Sequence, residues 1–164
     1  MARRGIPVVH GVTWASPLGE LWIADDGTGI CRLELVRCME APIDESLPMG
    51  PLVEQAVGEL EEYFAGVRQS FEVPLALYGT PFQKEAWEAL RAIPYGQTRS
   101  YADQARAIGR PRAYRAVGMA NNRNPVIILV PCHRVVGSQG DLVGYAGGVD
   151  VKRRLLELEG ALRA

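Results

Sequence analysis

The sequence predicts an α+β fold in which a small antiparallel β-sheet domain precedes a mainly helical domain. Three short β-prone runs, separated by turn-forming residues, fill the first third of the chain. Beyond residue 79, apolar residues recur at helical spacing, and two capping-box patterns mark helix starts. The turn at Leu77, Tyr78 and Gly79 is the best boundary, so we expect domains over residues 1–78 and 79–164.

The charge distribution follows the same division and suggests a partner. The net charge is -1, but residues 1–78 contain five basic and twelve acidic side chains, whereas residues 79–164 contain 13 basic and seven acidic ones. A basic half in a nearly neutral chain suggests a polyanion partner. The alternative is complementary charge between two packed halves, which requires no partner.

Length and composition exclude several classes of protein. With 164 residues and 48% apolar side chains, the chain can bury a core without disulfides or metals. The three cysteines are widely spaced and no apolar signal segment precedes them, so we expect a reducing cytoplasm. No apolar run approaches the roughly 20 residues of a membrane helix, which excludes membrane insertion.

In the first domain we predict strands around one helix. Turn formers separate three strands, which cover residues 8–14, 21–24 and 30–36. Residues 37–50 lack periodicity and are predicted to form a loop. A helix over residues 51–64 has Pro51 in its first turn and Gly66 just past its end. A fourth strand is expected around Phe71, Val73 and Leu75.

Four helices are predicted in the second domain. Thr80 and Ser100 begin the two capping boxes, and their helices end before Pro94 and at Gly109. Trp87, on the apolar face of the first of these helices, is expected in the core. The third helix covers about residues 112–121, and the last covers residues 150–159 with Asp150 as its N-cap.

The second and third of these helices suggest a helix-turn-helix. Both are short, and the turn between them is tight and contains Gly109. The third helix carries Arg112 and Arg115 among small residues, which permit close approach to a nucleic-acid groove. Small residues also permit close packing of two helices, and spacing alone favours the two interpretations about equally.

One segment brings two reactive side chains together. Residues 126–130 form an apolar run long enough for a buried strand, and Cys132 and His133 follow it closely. A lone cysteine in an apolar run is usually structural, but the adjacent histidine favours chemistry. A cysteine peptidase uses the same two residue types, but its pair meets through space, whereas sequence neighbours generally point apart.

The motifs around this segment resemble one family. The central motif is Pro-Cys-His-Arg-Val at residues 131–135. Asn124-Pro125 precedes it, and Gly144-Tyr145 and residues 152–160 follow it. Together these motifs closely resemble the methylated-DNA--protein-cysteine methyltransferases, or O6-alkylguanine-DNA alkyltransferases. The resemblance runs without a gap from about Phe82 to Gly160, and residues 16–19 resemble the family's first hairpin. It implies a ribonuclease H-like N-terminal domain, a helix-turn-helix DNA-binding domain, and a suicide repair enzyme that transfers one alkyl group irreversibly to a cysteine.

The resemblance also implies the catalytic residues. Cys132 is the acceptor, His133 the base that acts through a water, and Glu159 the carboxylate that orients the imidazole. Asn124 matches the hinge asparagine that holds the active-site turn. A base is needed because an ordinary cysteine pKa, near 8.5, leaves only a few per cent thiolate at neutral pH. No cofactor is expected.

The implied substrate is double-stranded DNA carrying O6-alkylguanine, with O4-alkylthymine as a further lesion. The nucleotide must be flipped because guanine O6 lies within a stacked base pair. The family pattern makes Arg115 the finger that fills the vacated space and Tyr101 the side chain that rotates the target phosphate. Further DNA contacts fall on Arg110, Ser138 and Ala102, and the guanine pocket falls on Leu142, Val143, Gly144, Tyr145 and Ala146. We expect a monomer that is able to assemble cooperatively on DNA.

Some positions depart from the family pattern. Tyr114 stands where the family usually has a small residue, and Asn121 and Ile127 replace a methionine and a proline found near the pocket in some relatives. Some members bind zinc in the N-terminal domain. Here the candidate ligands are His10, Cys31 and Cys38, and the family's ligand positions are mostly unmatched, so we predict no metal.

Two alternatives from other functional classes stay open. One is a lesion binder that transfers nothing, although the relatives of that kind lack the acceptor cysteine that Cys132 supplies. The other is a DNA-binding regulator built on the helix-turn-helix, with Cys132 as a sensor. Methyl transfer to the protein, measured as a gain in its mass, separates the enzyme from both alternatives.

Overall fold

The computed structural model describes residues 5–162. These residues form two compact units that adjoin in sequence between Tyr78 and Gly79. The first unit contains a three-stranded sheet and one α-helix, and the second contains four α-helices. This is the predicted α+β class. The division of function between the two units stays a prediction.

The sheet of the first unit is a meander of three antiparallel strands, as the turn residues predict. Strand β1 (His10–Ser16) pairs with β2 (Gly19–Asp25), which pairs with β3 (Ile30–Leu35). Ser16 closes the first hairpin, because its Oγ donates to Gly19 O and accepts from Leu18 N. The Asp26 carboxylate accepts three hydrogen bonds from Thr28 and Gly29 in the second turn. These local bonds fix the register of the sheet.

Helix α1 (Pro51–Phe64) has the predicted bounds and buries one face. Its buried apolar residues are Val53, Ala56, Leu60 and Tyr63. The strand predicted around Phe71 to Leu75 is wrong, because this segment makes only one isolated bridge, between Leu75 and Ile30. Pro74 lies beside the bridge and has no N–H to extend the ladder, although its carbonyl accepts from Ile30 N.

The second unit begins with α2 (Pro81–Arg91), whose capping box of Thr80 and Gln83 is complete. Trp87 is buried, as predicted, and its Nε1 donates to Ala120 O. Helix α5 (Val149–Leu158) has Gly148 as its N-cap, so the prediction of Asp150 is wrong by two residues. Gly148 has φ of 98°, a conformation that glycine adopts without strain, and Asp150 instead lies in the first helical turn.

Helices α3 (Tyr101–Ala107) and α4 (Tyr114–Asn122) form the predicted helix-turn-helix. The capping box of Ser100 and Asp103 begins α3. A buried pair of amides ties the two helices together, because Gln104 and Asn121 each donate to the other's side-chain oxygen, at 2.9 and 2.8 Å. Gln104 Nε2 also donates to Ala86 O on α2. Val117 and Ala120 of α4 pack in a buried cluster with Ala86 and Ala105, whereas Arg115 and Ala116 are exposed.

The buried strand predicted over residues 126–130 is absent. The segment is buried, but it turns back on itself: Ile128 has φ of 73°, and Ile127 and Val130 form only an isolated bridge. The Asn124 side chain imposes this turn, since its Oδ1 accepts from Val126 N and its Nδ2 donates to Val130 O. The regular strands nearby are two residues long, β4 (Arg99–Ser100) parallel to β5 (Val135–Val136).

Candidate active site

Cys132 lies at the start of a 3-10 turn (Cys132–Arg134), directly after the turn that Asn124 holds. The cysteine is 4% exposed, so its thiol lies just beneath the surface. Asn124 Nδ2 is 3.2 Å from Cys132 Sγ and 2.7 Å from Val130 O. One amide therefore fixes the loop and also presents a hydrogen-bond donor to the sulfur, a contact that favours the thiolate.

His133 and Glu159 form a buried pair beside this cysteine. His133 Nε2 and Glu159 Oε2 are 2.8 Å apart, and neither side chain has exposed surface. Glu159 is the C-cap of α5, so the helix end places the carboxylate. His133 Nδ1 is buried and has no hydrogen-bond partner among residues 5–162. The sequence-predicted base and its orienting carboxylate are thus in contact.

Arg134 binds the same carboxylate from the other side. Its Nε donates to Glu159 Oε1 at 2.8 Å, and its Nη2 donates to Oε2 at 3.0 Å. The guanidinium is buried, donates to Ile93 O at 2.7 Å, and lies 5.8 Å from the centre of the Tyr95 ring. A buried carboxylate is thereby compensated by a fixed positive charge.

A buried lysine also reaches the site. Lys152 of α5 is fully buried, and its Nζ donates to Val143 O at 2.8 Å and lies 5.8 Å from the Tyr101 ring centre. Burial lowers the pKa of Lys152 to about 8, while the nearby Cys132 and Asp141 oppose that shift. At neutral pH the amine is therefore still mostly protonated, although it loses its proton more readily than an exposed lysine does.

The resting site is a thiol beside a neutral imidazole. Burial raises the pKa of Cys132, although the Asn124 hydrogen bond, the Lys152 charge and a Tyr145 hydrogen bond lower it in part. Burial lowers the pKa of His133, and the Glu159 contact only partly offsets this. A neutral histidine can accept a proton, whereas a protonated thiol is a poor nucleophile. The arrangement therefore suits proton removal during the reaction rather than a permanent thiolate.

The predicted guanine pocket falls on a loop that two side chains hold. Tyr101 Oη donates to Val143 O at 3.1 Å, and Lys152 Nζ donates to the same oxygen. Gly144 has φ of 53°, in the left-handed region. Of the five predicted wall residues, Leu142 and Tyr145 are partly buried, and the other three are exposed: Val143, Gly144 and Ala146.

The predicted DNA contacts occupy several exposed elements. Arg115 is exposed on α4, and its guanidinium lies 5.9 Å from the ring centre of Tyr114, which is also exposed. Arg110 lies in the turn before α4, donates to Glu85 Oε2 at 3.2 Å and stacks 5.4 Å from the Phe82 ring centre. Ala102 is half-buried in the first turn of α3, and Ser138 is exposed in the loop after β5. Arg110 thus has an acidic neighbour that a phosphate would have to displace.

Comparison with known proteins identifies the family. Residues 81–161 match the model described as 6-O-methylguanine DNA methyltransferase, DNA binding domain, and residues 9–77 match its ribonuclease-like domain. A methylated-DNA--protein-cysteine methyltransferase from Methanosarcina barkeri is 48% identical over 147 residues, which cover 88% of this chain and 92% of that protein. One from Mycobacterium leprae is 46% identical over 153 residues, 93% of each chain. The chain belongs to the methylated-DNA--protein-cysteine methyltransferase family.

Solved structures agree with this membership. The fold is similar to the crystal structure of Mycobacterium tuberculosis O6-methylguanine methyltransferase, with a TM-score of 0.84 and 47% identity over 94% of each chain. It is equally similar to Mycobacterium tuberculosis OGT in complex with DNA, with a TM-score of 0.84 and 47% identity over 93% of this chain and 94% of that one. The family resemblance and the two-part fold predicted from sequence are therefore confirmed.

Sequence reasoning did not single out two residues that act on this group of side chains, Lys152 and Arg134. Lys152 lies three and four residues before Leu155 and Leu156 on α5, so helical spacing placed it on the buried face. A lysine on an apolar face is a signal for a buried cation. Arg134 gave no such signal, since the partner that it binds, Glu159, is 25 residues away.

The first unit contains the residues considered as zinc ligands. His10 Nδ1 lies 2.9 Å from Asp25 Oδ1, Cys31 is buried and Cys38 is exposed. Within residues 5–162, no group of three or more His, Cys, Asp and Glu side chains is placed to hold a metal ion. Over the same range, no helix is long and apolar enough to cross a membrane.

Proposed function

We propose that this chain is a DNA repair methyltransferase that accepts an alkyl group from guanine O6 on Cys132 Sγ, once and irreversibly. The observation that carries the proposal is the buried contact of His133 Nε2 with Glu159, at 2.8 Å, directly after the buried Cys132 in the chain. Family membership supplies the reaction class, since relatives at 46–48% identity are methylated-DNA--protein-cysteine methyltransferases. The contact of His133 with Glu159 supports the roles of base and orienting carboxylate that we propose beside the nucleophile Cys132.

In the proposed reaction, His133 Nδ1 receives the thiol proton through a bridging water. The Sγ–carbon bond forms as the carbon–O6 bond breaks, and the bonding electrons pass to the guanine ring. The departing guanine then takes up a proton, so the net change moves the alkyl group to sulfur and the thiol proton to guanine. Glu159 stabilises the imidazolium that forms in between. The thioether has no good leaving group, which explains a single turnover.

Two further side chains support the thiolate in this proposal. Asn124 Nδ2 donates toward Sγ, and the Lys152 charge lowers the thiol pKa. The interactions oppose the burial that otherwise keeps the sulfur protonated. Lys152 and Tyr101 also hold the carbonyl of Val143, and with it the loop that we propose as the guanine pocket, residues Leu142 to Ala146.

We infer that double-stranded DNA carrying O6-alkylguanine is the partner and that the lesion is flipped into the site. Arg115 would fill the vacated stack, Tyr101 would rotate the phosphate, and lesser backbone contacts would come from Arg110, Ser138 and Ala102. The exposed Arg115 on a helix-turn-helix supports this assignment, as does a relative solved in complex with DNA. O4-alkylthymine is a further candidate lesion.

We propose that residues 1–78 and 79–164 are separate domains, and that the second, basic one carries both DNA binding and catalysis. The compactness of each unit supports this division. The three free cysteines fit a reducing cytoplasm. We propose a monomer in solution that is able to assemble cooperatively on DNA.

The intact mass of the protein tests the proposed function. After incubation with a duplex carrying one O6-methylguanine, the protein should gain one methyl group, and an unmodified duplex should leave its mass unchanged. The Cys132→Ser variant should bind the same duplex without a mass change. Binding of the methylated duplex by the unmodified chain with no gain in mass would instead identify a lesion binder or a regulator.

A further inference from the structure

We propose that Arg134 is a positioning residue that fixes the proton of His133 on Nε2 and thereby keeps Nδ1 available as the base. This inference rests on the proposed function, in which His133 Nδ1 is the base that takes the thiol proton. The geometry on which it depends is independent of any substrate. Three side chains carry it: His133, Arg134 and Glu159.

The Glu159 carboxylate is shared between two partners. Oε1 accepts from Arg134 Nε at 2.8 Å, while Oε2 lies 3.0 Å from Arg134 Nη2 and 2.8 Å from His133 Nε2. Arginine has donors only and stays protonated in proteins, so both carboxylate oxygens act as acceptors toward it. A carboxylate has no proton to offer His133, and the His133 nitrogen at this contact must therefore be the donor.

Without the guanidinium, the opposite arrangement becomes favourable. Glu159 is buried, and burial without a cation favours the protonated carboxyl group. A protonated Glu159 would donate to His133 Nε2, which would place the imidazole proton on Nδ1. In that tautomer Nδ1 already carries a proton and cannot act as the proposed base. The charge of Arg134 thus selects the tautomer that catalysis needs.

Arg134 is held in place independently of Glu159. Its Nη1 donates to Ile93 O at 2.7 Å, and its guanidinium faces the Tyr95 ring. Within residues 5–162, Lys152 is a further cation near His133, and its charge lowers the pKa of the imidazole as that of Arg134 does. Lys152 Nζ donates to Val143 O, whereas the fork of Arg134 donates to both oxygens of Glu159 and so orients the carboxylate.

Nitrogen-15 NMR of the histidine side chains tests the inference directly in the unmodified chain. The sequence contains only two histidines, so His10 provides an internal reference that the His10→Gln variant assigns. We expect the His133 signal to show protonated Nε2 and unprotonated Nδ1 throughout neutral pH. A proton on Nδ1, or an imidazolium at neutral pH, would overturn the inference even if methyl transfer proceeds normally.

The Arg134→Met variant tests cause and effect. We expect the His133 proton to move toward Nδ1 and methyl transfer at neutral pH to slow by about tenfold to 100-fold, part of the factor that a positioned base contributes. Arg134→Lys restores charge without the fork and should recover the tautomer in part. Arg91→Met, which removes an exposed partner of Glu88, is the matched control. It should change neither the His133 tautomer nor the rate of methyl transfer.

These readings separate the inference from the proposed function. A folded Arg134→Met protein with an unchanged His133 tautomer refutes the role of Arg134, whatever its activity. If that variant does not fold, the spectra of the unmodified chain and of Arg134→Lys decide the matter. An Nε2-protonated His133 in a protein that never accepts a methyl group would refute the proposed function alone.

Discussion

Each unit of this protein buries one cysteine and holds one histidine against a carboxylate. In the first unit, His10 and Asp25 are 2.9 Å apart and Cys31 is fully buried. In the second, His133 and Glu159 are 2.8 Å apart and Cys132 is 4% exposed. The two sets contain similar residue types, yet we assign catalysis to only one.

The two thiols differ in what surrounds them. Burial and the nearby Asp26 raise the pKa of Cys31 to about 12, and its Sγ faces the carbonyl oxygen of Pro7 at 3.9 Å. Burial also raises the pKa of Cys132, but a donor amide, an ammonium and a hydroxyl oppose it, supplied by Asn124, Lys152 and Tyr145. A carbonyl opposes a thiolate, whereas donors and cations favour it. The comparison teaches that partners of the sulfur, rather than burial or residue type, distinguish the acceptor.

The largest expected difference between the two units comes from removing each sulfur. Cys132→Ser should abolish methyl transfer, because a serine hydroxyl is a far weaker nucleophile at this site. Cys31→Ser should retain transfer and should lower the free energy of unfolding by about 1 to 3 kcal/mol, because it places a hydroxyl in an apolar site. Single-turnover assays measure methyl transfer, and thermal melting measures the change in stability. Loss of transfer in a folded Cys31→Ser protein would break the comparison.

The two histidine–carboxylate pairs should differ nearly as much. His133→Ala and Glu159→Gln should slow methyl transfer by about 100-fold or more, since each removes the base or its orientation, while DNA affinity stays nearly constant. His10→Ala and Asp25→Asn are the matched controls and should leave the single-turnover rate unchanged. Equal rates across neutral pH for all four variants would remove the second pair from the mechanism.

The proposed finger should separate base flipping from chemistry. Arg115→Ala should slow repair of O6-methylguanine in duplex DNA by about 10 to 100-fold, because flipping costs a few kcal/mol that the finger offsets. Transfer from free O6-benzylguanine needs no flipping and should be almost unchanged, provided that this base enters the pocket. Arg68→Ala in the first unit, which removes a partner of Glu62, controls for charge. Equal slowing on both substrates would contradict the finger role.

Removing the buried ammonium should make Cys132 resemble Cys31. In Lys152→Met, the pH at which Cys132 reacts with iodoacetamide should rise, because an opposite charge no longer favours the thiolate. The reactivity of Cys31 should not change. An unaltered pH profile for Cys132 would show that Lys152 does not act on the sulfur.

The same lysine also makes stability depend on pH. Burial lowers its pKa in the folded state from 10.5 to about 8, so between these values the unfolded chain binds the additional proton. Stability from this group therefore increases as the pH rises from about 8 toward 10.5. Denaturant titrations of Lys152→Met should no longer show this rise in stability with pH. An identical rise in the variant would show that other titrating groups cause it.

The smallest expected effect compares two exposed tyrosines. Tyr114→Ala should weaken duplex binding by about 1 kcal/mol if the ring stacks on sugar or base edges. Tyr78→Ala is the control, because this hydroxyl is bound to Asp26 in the acidic unit and should not contact DNA. Titration against one alkylated duplex at fixed salt measures both. Tighter binding by Tyr114→Ala would show that the ring obstructs the groove.

Local sequence signals predicted the elements that local interactions stabilise. The capping boxes at Thr80 and Ser100 and the turn residues of the sheet all have partners within three residues. The strand predicted over residues 126–130 failed because Asn124 turns that apolar run, and periodicity does not report such side-chain bonds. The position of Lys152 was readable from helical spacing, whereas the contacts of Arg134 depend on tertiary folding.

The central claim is that the surroundings of Cys132 make it the acceptor among three free cysteines. Peptide mapping by mass spectrometry, after the unmodified chain has reacted with an O6-methylguanine duplex, tests this most directly. We predict one methyl group on the peptide that contains Cys132 and none on those that contain Cys31 or Cys38. A methyl group on either of the other two, with Cys132 unmodified, would contradict the account.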